Sequence, residues 1–320
     1  MNHGLKMPLL LSGLIVVSFF VSLKYGAVDL SWTQLWHGLH NQGAFAFTIY
    51  EYRFPRAIVA IVVGAMLATA GVLIQGVIRN PLASPDILGV SHGAGLAAVA
   101  MMTLFPAVSV FWLPWAALVG GIVAAFILAL LVRGNLAPVK LAITGVALAA
   151  LYASAIDFIM LIHPLDINNA LLWLTGSLWG RSWEQIQLLL PWCVLLPVVL
   201  GLSHPLNILV LGEQRATSLG VTVSLTRLIA LAIAVGWTSA AVAICGPISF
   251  LGLVAPHLAR QLVGGKHQIL LPTGMLVGAL ILLVADFASR VIDPPIELPA
   301  GILTAAIGAP YFLYLLVKMR

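Results

Sequence analysis

The sequence predicts an all-α polytopic membrane protein of about ten transmembrane helices, and three observations predict it. The chain is 62% hydrophobic and only 8% charged, against roughly 25% charged residues in a soluble domain. Its mean hydropathy is +1.10. Apolar runs recur along its whole 320 residues, and about 20 residues suffice to cross a hydrocarbon core of roughly 30 Å as a helix. No polar stretch is long enough for a soluble domain, so residues 1–320 read as one membrane domain.

The first span is Met7–Leu23. Lys6 precedes it as in a secretion signal, but Lys24-Tyr25-Gly26 offers no small-x-small cleavage site and more spans follow, so it stays uncleaved. The second, Pro55–Ile78, opens on Arg53-Phe-Pro-Arg56 and runs for about 22 apolar or small residues. Its Gly and Ala let neighbouring backbones approach, which suits a helix packed against protein more than lipid. A polar, proline-rich turn, Arg79 to Asp86, separates it from Ile87–Leu104. Further spans follow at Val110–Val132, Val139–Ile162, Ile186–Leu202, Leu225–Ile244, Ile248–Val263, Ile269–Val291 and Pro299–Val317. The eighth, with Pro256 and His257, is short and suits a broken helix surrounded by protein.

The positive-inside rule orients the chain. With the N-terminus in the cytoplasm, ten basic residues face in (Lys6, Arg79, Arg133, Lys140, Arg215, Arg227, Arg260, Lys266, Lys318, Arg320) and five face out (Lys24, Arg53, Arg56, Arg181, Arg290). An even number of spans puts both termini inside. Most tryptophans, among them Trp32, Trp36, Trp112, Trp179 and Trp183, fall at outer ends, where indoles favour the interface. The net charge of +5 describes inner-leaflet anchoring and needs no nucleic-acid partner.

Few groups in the spans can carry chemistry. Asp286 and Arg290 stand four apart on the ninth span and read as a structural ion pair. Asp157 is the other carboxylate inside a span, too little for a proton relay. The histidines form no cluster, so no metal site is expected, and Cys193 and Cys245 read as buried packing residues. No nucleophile–base motif appears, and Gly264-Gly265-Lys266-His267 lacks the upstream Gly and the hydroxyl of a nucleotide-binding loop. The chain is therefore not an enzyme. Between the sixth and seventh spans, Gly212 and Gly220 bracket a short amphipathic stretch with Glu213, Arg215, Ala216 and Leu219. That pattern fits a helix docking into a partner's groove or lying on headgroups.

Several motifs together resemble the FecCD permease family: Arg53-Phe-Pro-Arg56, Gly64-Ala-Met-Leu-Ala, Arg79-Asn-Pro-Leu-Ala-Ser-Pro85, Gly246-Pro-Ile-Ser-Phe-Leu-Gly-Leu-Val-Ala-Pro-His257 and Glu297-Leu-Pro-Ala-Gly-Ile. The resemblance runs from about Met7 to Arg320. It implies a type II permease fold of an ATP-binding-cassette importer in a bacterial inner membrane. The implied assembly holds two ATPase subunits, a second permease chain (copy or paralogue) and a periplasmic binding protein. ATP and Mg would sit on the ATPase, and this chain would need no cofactor. The implied cargo is a ferric chelate, with iron(III) dicitrate first, because Gly71-Val-Leu-Ile-Gln-Gly76 and Ser84-Pro-Asp-Ile-Leu-Gly-Val90 resemble that branch most closely.

Residue by residue, the resemblance implies that Arg53, Arg56 and Arg290 receive acids of the binding protein. It implies ATPase docking by residues 206–221, with Gly212, Glu213, Arg215, Ala216, Leu219 and Gly220 at the contact. The inner gate is implied at Asn80 and Leu82 and at Pro138 and Val139, where the vitamin B12 permease carries a hydroxyl-bearing pair and this chain does not. The rival reading, a secondary transporter driven by an ion gradient, predicts ionisable groups at the midplane, in which this chain is poor.

Overall fold

A computed structural model of the chain describes residues 3–132, 137–164, 167–294 and 296–318. Among these, seven helices are long and apolar enough to cross a membrane. They are α1 (His3–Lys24), α3 (Phe54–Ile78), α5 (Leu113–Val132), α6 (Pro138–Ile162), a helix broken into α8 (Trp183–Leu189), a 3-10 segment and α9 (Leu196–Gly201), α12 (Val223–Cys245) and α14 (His267–Val291). Shorter apolar helices α4 (Val90–Leu104) and α15 (Ala300–Lys318), with α13 (Leu251–Val263), complete the expected set. Each lies within a few residues of its sequence-based range. Arg133 and Arg320, counted above for orientation, lie outside the described residues.

Proline and glycine punctuation explains the boundaries. Pro55 and Pro138 occupy the first turns of α3 and α6, where a missing N–H costs no helix bond. Two of the helix breaks end on a left-handed residue that starts the next helix, Gly89 (φ 76°) before α4 and Phe250 (φ 65°) before α13. Four small helices lie outside the spans: α2 (Trp32–Leu39), α7 (Ile167–Leu174), α10 (Ser203–Leu209) and α11 (Glu213–Ser218). Two of these, α2 and α7, were not anticipated. The signal for α2 was legible, because Ser31 and Gln34 form a reciprocal cap: Gln34 N donates to Ser31 Oγ (3.2 Å) and Ser31 N to Gln34 Oε1 (2.8 Å).

Helices α3 and α12 are buried along most of their length and α14 along about half, while α1, α5, α6 and residues 183–201 leave most of theirs uncovered. Composition sets this partition. A Cβ on Gly64 would strike the carbonyl of Gly278, and one on Gly71 the carbonyl of Gly252, so α3 meets α14 and α13 backbone to backbone. Cys245 is buried as expected, but Cys193 is exposed, because its helix is peripheral.

Candidate functional site

The end of the bundle that the positive-inside rule turns outward holds a charge cluster. Arg56 donates from Nε to both carboxylate oxygens of Asp286 (2.9 and 3.2 Å), and its Nη2 lies 2.8 Å from Oδ1. Its Nη1 reaches Glu297 Oε2 at 2.6 Å. Arg290 Nε stands 3.5 Å from Asp286 Oδ2, and Nη2 donates to Ser22 O at 3.2 Å. Arg53 binds Leu23 O (2.8 Å), Lys24 O (3.2 Å) and Val28 O (2.7 Å). It thereby satisfies two carbonyls that the C-terminus of α1 leaves without helical partners, those of Leu23 and Lys24. The cluster fastens α1, α3 and α14 together.

The Asp286–Arg290 pair stands as expected, with Arg56 the closer partner of Asp286. Arg53, Arg56 and Arg290 are 5%, 1% and 5% exposed. Their guanidinium groups are already engaged from within, because a charge this deep requires partners. Glu297, which sequence reasoning missed as a charge partner, keeps part of its side chain accessible. Arg56 and Arg290 stand against Asp286 and Glu297, and Arg53 feels Asp29, so the acids and bases of the cluster balance.

A cavity of about 530 Å³ opens between α4, α6, α7 and the segment preceding α13. Its polar lining includes Asp86, Ser91, His92, Asp157 and Ser249, beside apolar Ile156 and Phe250. Ser91 Oγ donates to Asp86 Oδ1 at 2.7 Å. Burial pushes the Asp86 carboxyl above the usual carboxylate range, and that hydrogen bond opposes the shift. At the other end, Asn80 Oδ1 accepts Leu82 N (2.9 Å), closing the turn after α3. Pro138 and Val139 stand on the first turn of α6 with Val139 exposed.

The hairpin of α10 and α11 is seated against the bundle. Leu206, Leu209 and Ala216 are buried. Asn207 Oδ1 accepts His267 N (2.8 Å), and its Nδ2 donates to Gln268 Oε1 (2.5 Å), pinning α10 to the start of α14. Gly212 (φ 103°) and Gly220 (φ 84°) turn the chain at either end of α11. Of the residues expected at a partner contact, Arg215 and Leu219 face outward, but Ala216 packs inward and Glu213 reaches back to Arg227 (2.7 Å) and Arg79 (3.5 Å).

The hydrogen bond from Arg227, then its charge, hold the Glu213 carboxyl below its ordinary range. A lowered carboxylate pKa contributes stability that is complete above the unfolded value of about 4.3. That contribution is lost as pH falls through the lowered folded value. The half-exposed site keeps it small.

Comparison with known proteins places this architecture. The model of the FecCD transport family matches residues 14–318. The chain is 52% identical over 304 residues to the Fe(3+) dicitrate transport system permease protein FecD of Escherichia coli (strain K12), covering 94% of each. It is 46% identical over 311 residues to the Fe(3+)-citrate import system permease protein YfmE of Bacillus subtilis (strain 168), covering 96% of this chain and 93% of that one. A solved structure described as a metal-chelate type ABC transporter in an inward-facing conformation matches with TM-score 0.88 at 33% identity, covering 98% of this chain and 99% of that one. The family model, the relatives and the shared fold span the same bundle, cavity and hairpin, and the chain belongs to the FecCD transport family as a membrane permease subunit of an ABC importer whose ATPase is a separate chain.

Proposed function

We propose that this chain moves a ferric chelate, iron(III) dicitrate in the first place, from the periplasm to the cytoplasm by alternating access. The observation that carries the reading is the 52% identity to the dicitrate permease over 94% of the chain. The working complex holds a second permease chain, two ATPase subunits and a periplasmic binding protein in a bacterial inner membrane. Both termini lie in the cytoplasm, in keeping with the excess of basic residues assigned to that side. Affinity resides in the binding protein. The cavity near Asp86 and Ser249 provides passage, and among the described residues no group of three His, Cys, Asp or Glu is arranged to hold a metal ion. The hairpin's outward face, with Gln214, Arg215 and Leu219, meets the ATPase, and the gate closes near Asn80, Leu82, Pro138 and Val139.

Reconstituted vesicles test this directly. Uptake of labelled ferric dicitrate is expected to require ATP and the binding protein, and to exceed uptake of a ferric hydroxamate. Uptake driven by an ion gradient without ATP would instead support a secondary transporter and end the proposal.

The arginines act from beneath the surface: the acids around them balance their charge, and removing one of those acids leaves a net positive charge that attracts an acidic binding protein. Glu297→Gln removes the accessible acid of the cluster. At a separation of roughly 10 Å in water, one charge contributes about 0.4 kcal/mol. The variant is therefore expected to bind the binding protein about twofold faster at low salt, with the difference fading at high salt. Stopped-flow association rates that are unchanged or slower at low salt would contradict it.

A further inference from the structure

The cytoplasmic hairpin carries one connection that contact with a partner does not need. Glu213 opens α11, directly after the positive-φ Gly212. Its Oε1 accepts Arg227 Nη2 at 2.7 Å, and the Arg227 side chain is only 6% exposed, so this contact is a fixed anchor on α12. The same oxygen lies 3.5 Å from Arg79 Nη2, whose side chain is 36% exposed. Arg79 terminates α3 in the left-handed conformation (φ 56°), which few non-glycine residues adopt. The next residue, Asn80, closes the turn through Leu82. One carboxylate therefore joins the hairpin, the start of α12 and the residue immediately before the gate turn.

We infer that Arg79 is a positioning residue that couples α11 to the turn at Asn80–Leu82 through Glu213. The two contacts are unequal, one short with a buried arginine, one longer with an arginine that is itself accessible. A displacement of α11 therefore changes the Arg79 contact first and shifts the residue that sets the direction of the turn. An exposed ion pair contributes little to stability, so the prediction concerns transmission and not folding. The inference rests on the reading of the hairpin as the ATPase contact.

The test uses the complete reconstituted complex and reads ferric dicitrate imported per ATP hydrolysed. Coupling between sites commonly spans factors of about 5–150. Arg79→Gln is expected to lower the ratio about fivefold or more, and Arg79→Lys to restore at least half of it. Glu213→Gln reads the same link from its other end and should lower the ratio similarly. The double variant should be no worse than the more impaired single one, since interacting residues are non-additive. A wild-type ratio in Arg79→Gln, or a double variant equal to the product of the singles, would overturn the inference. ATPase retention is measured on the same complexes and should be kept by Arg79→Gln. If the unaltered chain retains no ATPase, the reading of the hairpin fails and the inference falls with it.

Discussion

Asp286→Ala is expected to destabilise the permease by about 3–5 kcal/mol, the usual consequence of leaving a buried charge without its partner. Asp286 is 0% exposed and Arg56 is 1% exposed. Loss of the carboxylate removes the ion-pair contacts at Nε and Nη2, leaving Arg56 with Glu297 and the Tyr52 side chain. The double replacement Arg56→Met/Asp286→Leu is expected to recover most of the loss, since an apolar pair of similar volume avoids the desolvation of both charges. Thermal unfolding in detergent, with the monodisperse fraction after extraction, measures both. Glu297→Gln is the comparison, because its site is partly accessible. If Asp286→Ala melts no lower than Glu297→Gln, the cluster does not hold the outer end together.

The second large effect is expected at the contact of α3 with α14. Gly64→Ala places a methyl group against the carbonyl of Gly278, and Gly278→Ala places one against the carbonyl of Gly64 and the side chain of Ala68. Backbone atoms cannot rotate aside, so the helices must separate. Overpacking of a fixed interior costs about 1–3 kcal/mol, and the higher end is expected where backbone is struck. Gly13→Ala serves as control: nothing lies within 4 Å of the new Cβ on that exposed turn of α1, and the change should stabilise by up to about 1 kcal/mol. Equal melting temperatures for Gly64→Ala and Gly13→Ala would contradict the close contact.

The spans were legible because each is a self-contained signal: an apolar run of sufficient length, bounded by charge, proline or glycine. Even the short α13, with Pro256 inside it, stood out by its interruption. Partnership was less legible. Asp286 and Arg290 advertise themselves four residues apart, whereas the shorter contact joins Arg56 to Asp286 across 230 positions and no local pattern encodes it. The same limit hid the role of Glu297. In α11 the short helix between Gly212 and Gly220 was legible, but the directions of its side chains were not. A helix of 6 residues is less than two turns, too short for a periodic face to declare itself. Orientation there depends on Arg79 and Arg227, which approach from other helices.

The backbone contact between α3 and α14 bears on how force travels through the protein. Each helix has 25 residues, so each is a rod of roughly 37 Å at 1.5 Å per residue. The rods are locked near their outer tips by Arg56 and Asp286 and pressed together at Gly64 and Gly278. Their opposite tips hold the hairpin of α10 and α11, through Arg79 on one and His267 on the other. A doubled rod with no room for one member to slide past its neighbour behaves as a lever. A displacement of the hairpin that passes the Arg79 contact would therefore reach the charge cluster as a tilt of both rods together.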